Sequence, residues 1–104
     1  MGEPGFLQHK SILKTMYNAK DDQRKALLQH VANDVVKSIS EIALNIIKGI
    51  IPVTPREKEQ LRGWKEQLKK LSNTSPSFKK KRALLLNNTK LTRMLLKIAL
   101  DLKA

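Results

Sequence analysis

Hydrophobic positions in the middle of the chain recur with the period of an α-helix. The main stripe is Val35, Ile39, Ile42 and Ile46, and it is widened by Val36, Ala43, Ile47 and Ile50. Steps of three and four residues place side chains on one helical face, and so broad an apolar arc favours a central helix that is contacted on several sides. We expect this helix over about 35–48. Gly49 suits its end because glycine enters the left-handed region without a steric cost.

The first third of the chain carries weaker patterns. Loosely spaced apolar residues predict a first helix over 6–17, and residues 18–21 are typical of a turn. A second helical stretch is expected from about Asp22 into the central helix and on to Lys48, with Asp21 or Asp22 as its cap. Asn33-Asp34 is a candidate break within that stretch.

The clearest local signal is Thr54-Pro55-Arg56-Glu57, which follows a short extended connector at 50–53. Threonine at the N-cap, proline at the first helical position and glutamate at the third form the pattern of a capping box. The helix that begins here is predicted to run to about Leu71. Its apolar seam is Leu61, Trp64, Leu68 and Leu71.

The remaining elements are shorter. After a loop at 72–76, Ser75 or Ser77 can cap a fourth helix, and a last helix is expected over about 90–103. Together these patterns predict an all-α fold, a small compact bundle of four to five helices. We expect a single helical domain over 1–104, with a near-neutral scaffold half at 1–50 and a basic half at 51–104.

Composition narrows the classes of function. The chain has no cysteine, which excludes disulfides and thiolate metal sites. His9 and His30 lack metal-ligand spacing, and no phosphate-cradling glycine loop or acid–base pair stands out. We therefore expect a protein that is not an enzyme and has no metal or cofactor. No apolar run is long enough for a signal peptide or a membrane span.

The positive charge is concentrated in the second half. Residues 1–50 hold seven Lys/Arg and five Asp/Glu, whereas residues 51–104 hold fourteen and four, within a total net charge of +12. An asymmetry of this kind indicates a polyanionic partner, either a nucleic acid or an anionic membrane.

Two groups of cations are candidate binding residues. Lys58, Arg62, Lys65 and Lys69 recur at helical spacing beside the leucine seam, with Lys70 next to them. One side of the helix can therefore pack while the adjacent side faces a phosphate backbone. The alternative is a solvated helix face in which Glu59 and Glu66 pair with these cations.

The second group is the run Lys79, Lys80, Lys81 and Arg82. Like charges this close repel one another, and binding phosphates would release condensed counterions. The run also fits a nuclear import signal. The alternative is a solvated helix start, which is electrostatically unfavourable near a helix N-terminus.

The C-terminal helix is a basic amphipath with Lys90, Arg93, Lys97 and Lys103, and Leu96 and Leu100 lie off its main apolar face. Such a helix can complete the core, form an oligomer seam or lie on an anionic membrane. Membrane contact is the less favoured of these readings.

The order of motifs from about Ile12 to Leu86 resembles small basic proteins of adenovirus-like Polinton/Maverick elements and adintoviruses, and related invertebrate orphan proteins. The matching motifs are Leu44-Asn45, Lys48-Gly49, Pro52-Val53-Thr54, the helix with Lys58, Leu61, Leu68 and Leu71, and Ser77 through Leu85. The chain departs from that pattern in the apolar Ile50-Ile51 after the glycine, and in an amphipathic C-terminus where those proteins have a double glycine and an apolar tail. The resemblance implies a core protein that condenses a genome, in the virion or the host nucleus.

These observations lead to three hypotheses. The first is a non-enzymatic protein that binds nucleic acid without base specificity, duplex DNA being favoured, through its phosphate backbone. The second is a helical adaptor or capsid-internal protein, including a homo-oligomer, whose apolar faces bind a protein partner. The third is a membrane-active protein that acts through residues 90–103.

Overall fold

Residues 8–101 are described by the computed structural model, and they form helices without any strand. The seven helices are α1 (Lys10–Asn18), α2 (Asp21–His30), α3 (Asn33–Ile47), α4 (Pro55–Arg62), α5 (Lys65–Ser72), α6 (Phe78–Asn87) and α7 (Thr89–Leu100). The predicted all-α class is confirmed. The predicted count of four to five helices is wrong, because two of the expected helices are each divided. The expected start of the first helix at residues 6–7 and the expected end of the last helix at residues 102–103 lie outside the described residues.

The first division separates α2 from α3. Val31 and Ala32 both have extended backbone angles, so the stretch predicted from Asp22 to Lys48 breaks just before Asn33-Asp34. Arg82 lies across this break: it donates from Nη1 to the Leu28 carbonyl at 2.6 Å and from Nη2 to Asn33 Oδ1 at 2.9 Å. The Leu28 carbonyl is one of the last four carbonyls of α2, and these have no amide donor within the helix. Arg82 therefore joins the end of one helix to the start of the next.

The second division separates α4 from α5 at Gly63 and Trp64. Glycine weakens a helix interior. The helix that was predicted to run unbroken to Leu71 is interrupted here. Gly63 keeps right-handed helical angles, but Trp64 leaves the helical region with φ −117° and ψ 24°. The Trp64 amide donates to the Leu61 carbonyl at 2.9 Å, so the chain makes one tighter turn between α4 and α5.

Three predicted local signals are confirmed, whereas Asp21 and Asp22 are not the N-cap of α2, because they lie in its first turn and Lys20 occupies the N-cap position. The Glu57 amide donates to Thr54 Oγ1 at 3.1 Å, and the Thr54 amide donates to Glu57 Oε1 at 2.9 Å, which completes the capping box. Ser77, not Ser75, caps α6 by accepting from the Lys80 amide at 3.2 Å. Gly49 has a φ of 76° at the end of α3, the left-handed conformation that only glycine adopts at little cost.

The core is built around α3 and α7. Helix α3 packs on α5, α6 and α7, and α7 packs also on α1, α2 and α6. Leu96, which the sequence placed off the main apolar face of its helix, is fully buried, because α7 is contacted from several sides. The other buried residues of α7 are Leu91, Thr92, Leu95, Ile98 and Ala99. None of the helices in residues 8–101 is long and apolar enough to cross a membrane.

A buried arginine fixes the corner between α1 and α2. Arg24 is 2% exposed, and its guanidinium donates to the carbonyls of Met16, Tyr17 and Ala19 at 2.9, 3.3 and 2.6 Å. It also pairs with Asp21 at 2.6 Å. These carbonyls lie at the C-terminal end of α1, where backbone acceptors lack helical partners, so Arg24 serves as their cap.

Candidate nucleic-acid interface

Helices α4 and α5 bring four of the predicted cations to one groove. Lys58 and Arg62 come from α4, and Lys65 and Lys69 come from α5. We name these four residues the basic strip. All four line the same groove although the helix is interrupted at 63–64. The other wall of the groove is the end of α3 and the connector that follows it.

The basic strip keeps most of its charge. Arg62 pairs with Glu59 at 3.2 Å, but both side chains are more than two-thirds exposed, and such surface pairs contribute little. In the described structure no carboxylate lies within ion-pair distance of Lys58, Lys65 or Lys69. The alternative of a solvated helix face predicted ion pairs with Glu59 and Glu66, and in the described residues only the pair of Arg62 with Glu59 is present.

The length of the basic strip suits a nucleic-acid backbone. Lys69 lies eleven positions after Lys58, which corresponds to about 16 Å when the rise of a continuous helix is applied across the interruption at 63–64. This is roughly half of the ~34 Å turn of B-DNA. A strip of this length can follow a groove edge or one strand over several phosphates.

Apolar side chains lie beside the strip at the end of α3. Ile47 is 49% exposed and Ile50 is 65% exposed, and Ile47 lines the same groove as the four cations. The sequence assigned both isoleucines to the packed arc of the central helix. The structure instead leaves them at the surface, because α3 ends at Ile47 and the chain turns away at Gly49.

The run Lys79–Arg82 divides into residues with different surroundings. Lys79 and Lys80 are exposed on the first turn of α6, whereas Lys81 is only 9% exposed. Arg82 is half-buried and donates to α2 and α3 as described above. Helical periodicity turns successive residues about 100° apart, so four neighbouring cations cannot all face one partner. We therefore narrow the predicted contacts of this run with the backbone along a duplex to Lys79 and Lys80.

Lys70 lies apart from the basic strip. It is exposed at the C-terminal end of α5 and lines a second groove together with Lys80 and Lys81. We name this the Lys81 groove. The structure thus brings together one lysine of the first group and two of the second, which the sequence treated separately.

A third groove, which the sequence did not indicate, lies between α4 and α7. Its volume is about 850 Å³, and Trp64 forms part of its wall. The cations around it are Arg56, Lys90, Arg93 and Lys97. An aromatic ring beside cations is the arrangement that stacks bases while holding a backbone. The sequence placed Trp64 in the leucine seam and the cations on a distant helix, and nothing in their spacing along the chain shows that they meet.

Part of the charge of this third groove is neutralised. Lys97 Nζ lies 3.6 Å from Glu57 and 4.0 Å from Asp101. Arg93 lies over the ring of Tyr17, 4.8 Å from its centre, within the range of a cation–π contact. Arg56 and Lys90 remain as the cations of this groove without an ion pair in the described residues.

The acidic and histidine side chains of residues 8–101 do not gather into a group that could hold a metal ion. No family model, no curated protein and no solved structure matches the chain.

Proposed function

We propose that this protein binds nucleic acid through the phosphate backbone, without base specificity, and that duplex DNA is its main target. The basic strip is the principal contact. Lys70, Lys79 and Lys80 extend the positive surface toward α6. The protein acts as a non-enzymatic core protein of a virus or mobile element and condenses its genome, in the virion or the host nucleus.

The observation that carries this proposal is the weak internal neutralisation of the basic strip. Four cations line one groove, and a single exposed ion pair offsets one of them. A protein gains little stability from holding unpaired like charges together, whereas a polyanion that neutralises them releases its condensed counterions. The resemblance to core-like proteins of Polinton elements and adintoviruses supports the finer part of the proposal.

The buried position of α7 argues against the membrane hypothesis. Its apolar side chains form the core, so insertion of residues 90–103 into a bilayer would require the bundle to open. The nucleic-acid hypothesis requires no such rearrangement, because the basic strip is already exposed.

The proposal is tested by fluorescence anisotropy with a labelled duplex of about 25 base pairs and mixed sequence, from 50 to 200 mM KCl. Four phosphate contacts give a slope of about −3.6 in a plot of log K against log salt, and seven give about −6.3. Affinity then falls by roughly 150- to 6,000-fold over this range. A second duplex of unrelated sequence should bind within about threefold. Absence of binding at 50 mM KCl, or a slope flatter than about −1, would refute the proposal.

Exposed isoleucines favour one second candidate, a helical adaptor that binds a protein. Ile47 and Ile50 form an apolar patch at the end of α3. If this patch is the functional surface, the protein forms a tight dimer or hetero-complex in the absence of nucleic acid. Sedimentation velocity of the wild type and of Ile50→Asp separates the two hypotheses: a DNA-free dimer lost in the variant supports the adaptor, and a monomer in both excludes self-association through this patch.

A further inference from the structure

Lys81 is a buried lysine without a partner. It is nine-tenths buried, and it forms no hydrogen bond or ion pair from its side chain in the described structure. A lysine with this exposure has its aliphatic stem covered while its ammonium stays in contact with solvent. No side-chain nitrogen or oxygen of the described residues is both fully buried and unsatisfied. The Lys81 ammonium therefore reaches solvent, and it does so through the grooves that it lines.

The surroundings of Lys81 are cationic on the α5 side. The Lys81 groove has a volume of about 630 Å³ and contains Lys70 and Lys80 as well as Lys81. Its remaining polar side chains are those of Gln67, Ser75, Asn87 and Asn88. No carboxylate lines this groove. Three ammonium groups from two helices thus share a space with amides and a hydroxyl, which can donate to the same ligand.

The opposite side of Lys81 faces α3, and a carboxylate is present there. Glu41 and Lys37 line the adjoining groove together with Lys81. Glu41 is not within ion-pair distance of Lys81, and Lys37 adds a further positive charge to that side. The α3 side therefore leaves the charge of Lys81 unmatched.

The start of α6 adds to this positive field. Helix α6 is ten residues long, and its first turn contains no acidic residue and three lysines. The N-terminus of a helix carries a partial positive charge, so lysines there are destabilising unless an anion is bound. Ser77 Oγ already accepts from the Lys80 amide. The amides of Phe78 and Lys79, which precede Lys80, point toward the N-terminal end of α6. Burial also lowers the pKa of Lys81 from its ordinary value, which is the expected response of a charge that lacks a partner.

We propose that the Lys81 groove is a binding site for a phosphate dianion, held by the ammonium groups of Lys70, Lys80 and Lys81. This site is separate from the basic strip, and it stands whether or not the strip binds duplex DNA. The phosphate comes either from a free phosphate compound or from the phosphorylated end of a nucleic acid. A tetrahedral dianion suits the groove because it offers several acceptors to the donors of α5 and α6 that line it.

The test is a titration of the full chain with inorganic phosphate at about pH 8, where the dianion dominates, at constant ionic strength, followed by ¹H–¹⁵N NMR. Saturable shifts are expected at residues 77–81 and at Asn87 and Asn88. Lys81→Met and Lys70→Met should each weaken binding at least tenfold. Lys79→Met is the matched control, because Lys79 is on the same turn but does not line the groove, and it should bind within about twofold of the wild type.

Two results would overturn the proposal: shifts that do not saturate, and equal weakening in Lys79→Met and Lys81→Met. Lys70 is exposed, so its variant leaves the core intact and tests the site even if Lys81→Met perturbs the fold. The source of the phosphate is decided by two short duplexes, one with 5′-phosphate and one with 5′-hydroxyl ends. A preference for the phosphorylated duplex that inorganic phosphate abolishes indicates a nucleic-acid end, and equal binding of both indicates a free phosphate compound.

Discussion

Arg82 and Lys79 belong to one run of four cations, but the structure gives them different tasks. Arg82 joins α2 to α3, and Lys79 is exposed on α6. We predict that Arg82→Met lowers the stability of the fold and leaves the salt dependence of DNA binding nearly unchanged. We predict the reverse for Lys79→Met. Each variant removes one positive charge, so a difference between them cannot arise from net charge.

The magnitude follows from the two hydrogen bonds of Arg82. Its guanidinium donates to the Leu28 carbonyl at 2.6 Å and to Asn33 Oδ1 at 2.9 Å. Hydrogen bonds to a charged group contribute about 1.5–3 kcal/mol each. Arg82 is half-buried and the Asn33 contact is exposed, so we expect a total loss of about 2 kcal/mol. In a domain of this size that lowers Tm by about 8–16 °C.

Circular dichroism at 222 nm during thermal and urea unfolding measures this loss. Lys79→Met should change the unfolding free energy by less than about 0.5 kcal/mol, as exposed substitutions usually do. In the anisotropy assay Lys79→Met should flatten the salt slope by about 0.9, the value for one phosphate contact. If Arg82→Met unfolds at the wild-type temperature, or if it flattens the slope as much as Lys79→Met, the assigned roles are refuted.

Three further predictions concern stability. Arg24→Met should lower the unfolding free energy by about 3 kcal/mol in urea, because removing one partner from a buried charged network leaves the others unsatisfied. Lys25→Met, at the exposed neighbouring position, should change it by less than about 0.5 kcal/mol. Equal effects of the two variants would contradict the role of Arg24 as the cap of α1. Thr54→Ala should cost about 1 kcal/mol in the same assay through loss of the capping box, and a neutral result would show that α4 does not depend on it. Burial lowers the pKa of Lys81 below 10.5. The unfolded state therefore binds the proton more tightly than the folded state, and the stability of the fold rises as pH increases toward 10.5. In unfolding measured at pH 7.5 and 10.5, Lys81→Met should lack this rise relative to the wild type, and parallel curves would contradict the prediction.

Local signals predicted the ends of elements well. The capping box at Thr54, the cap at Ser77 and the left-handed Gly49 each depend on a few adjacent residues, and those residues are visible in the sequence. The break near Asn33 was also indicated. The interruption at Gly63 was not, because a single glycine inside a periodic pattern is often tolerated, and what decides its effect is packing by distant elements.

The candidate site was only partly predictable for a related reason. Helical spacing on α4 and α5 placed the basic strip on one face, since that relation is local. The roles of Lys81 and Arg82 depend on groups far away in the chain: Arg82 meets residues 49 and 54 positions earlier. Trp64 and Arg93 share a groove because α4 packs near α7. A single sequence without contact information carries no signal for such pairs.

The central claim is that the basic strip itself, and not net charge, binds the phosphate backbone. The most direct measurement is the salt slope of duplex binding for a variant in which Lys58, Arg62, Lys65 and Lys69 are all replaced by Gln. Its control has the same loss of four charges at exposed lysines of the first half, Lys14, Lys20, Lys25 and Lys37. We predict that the strip variant flattens the slope by about 3.6 and that the control flattens it by less than about 1. Equal slopes in the two variants would contradict the claim and would show that charge alone, wherever it lies, accounts for the binding.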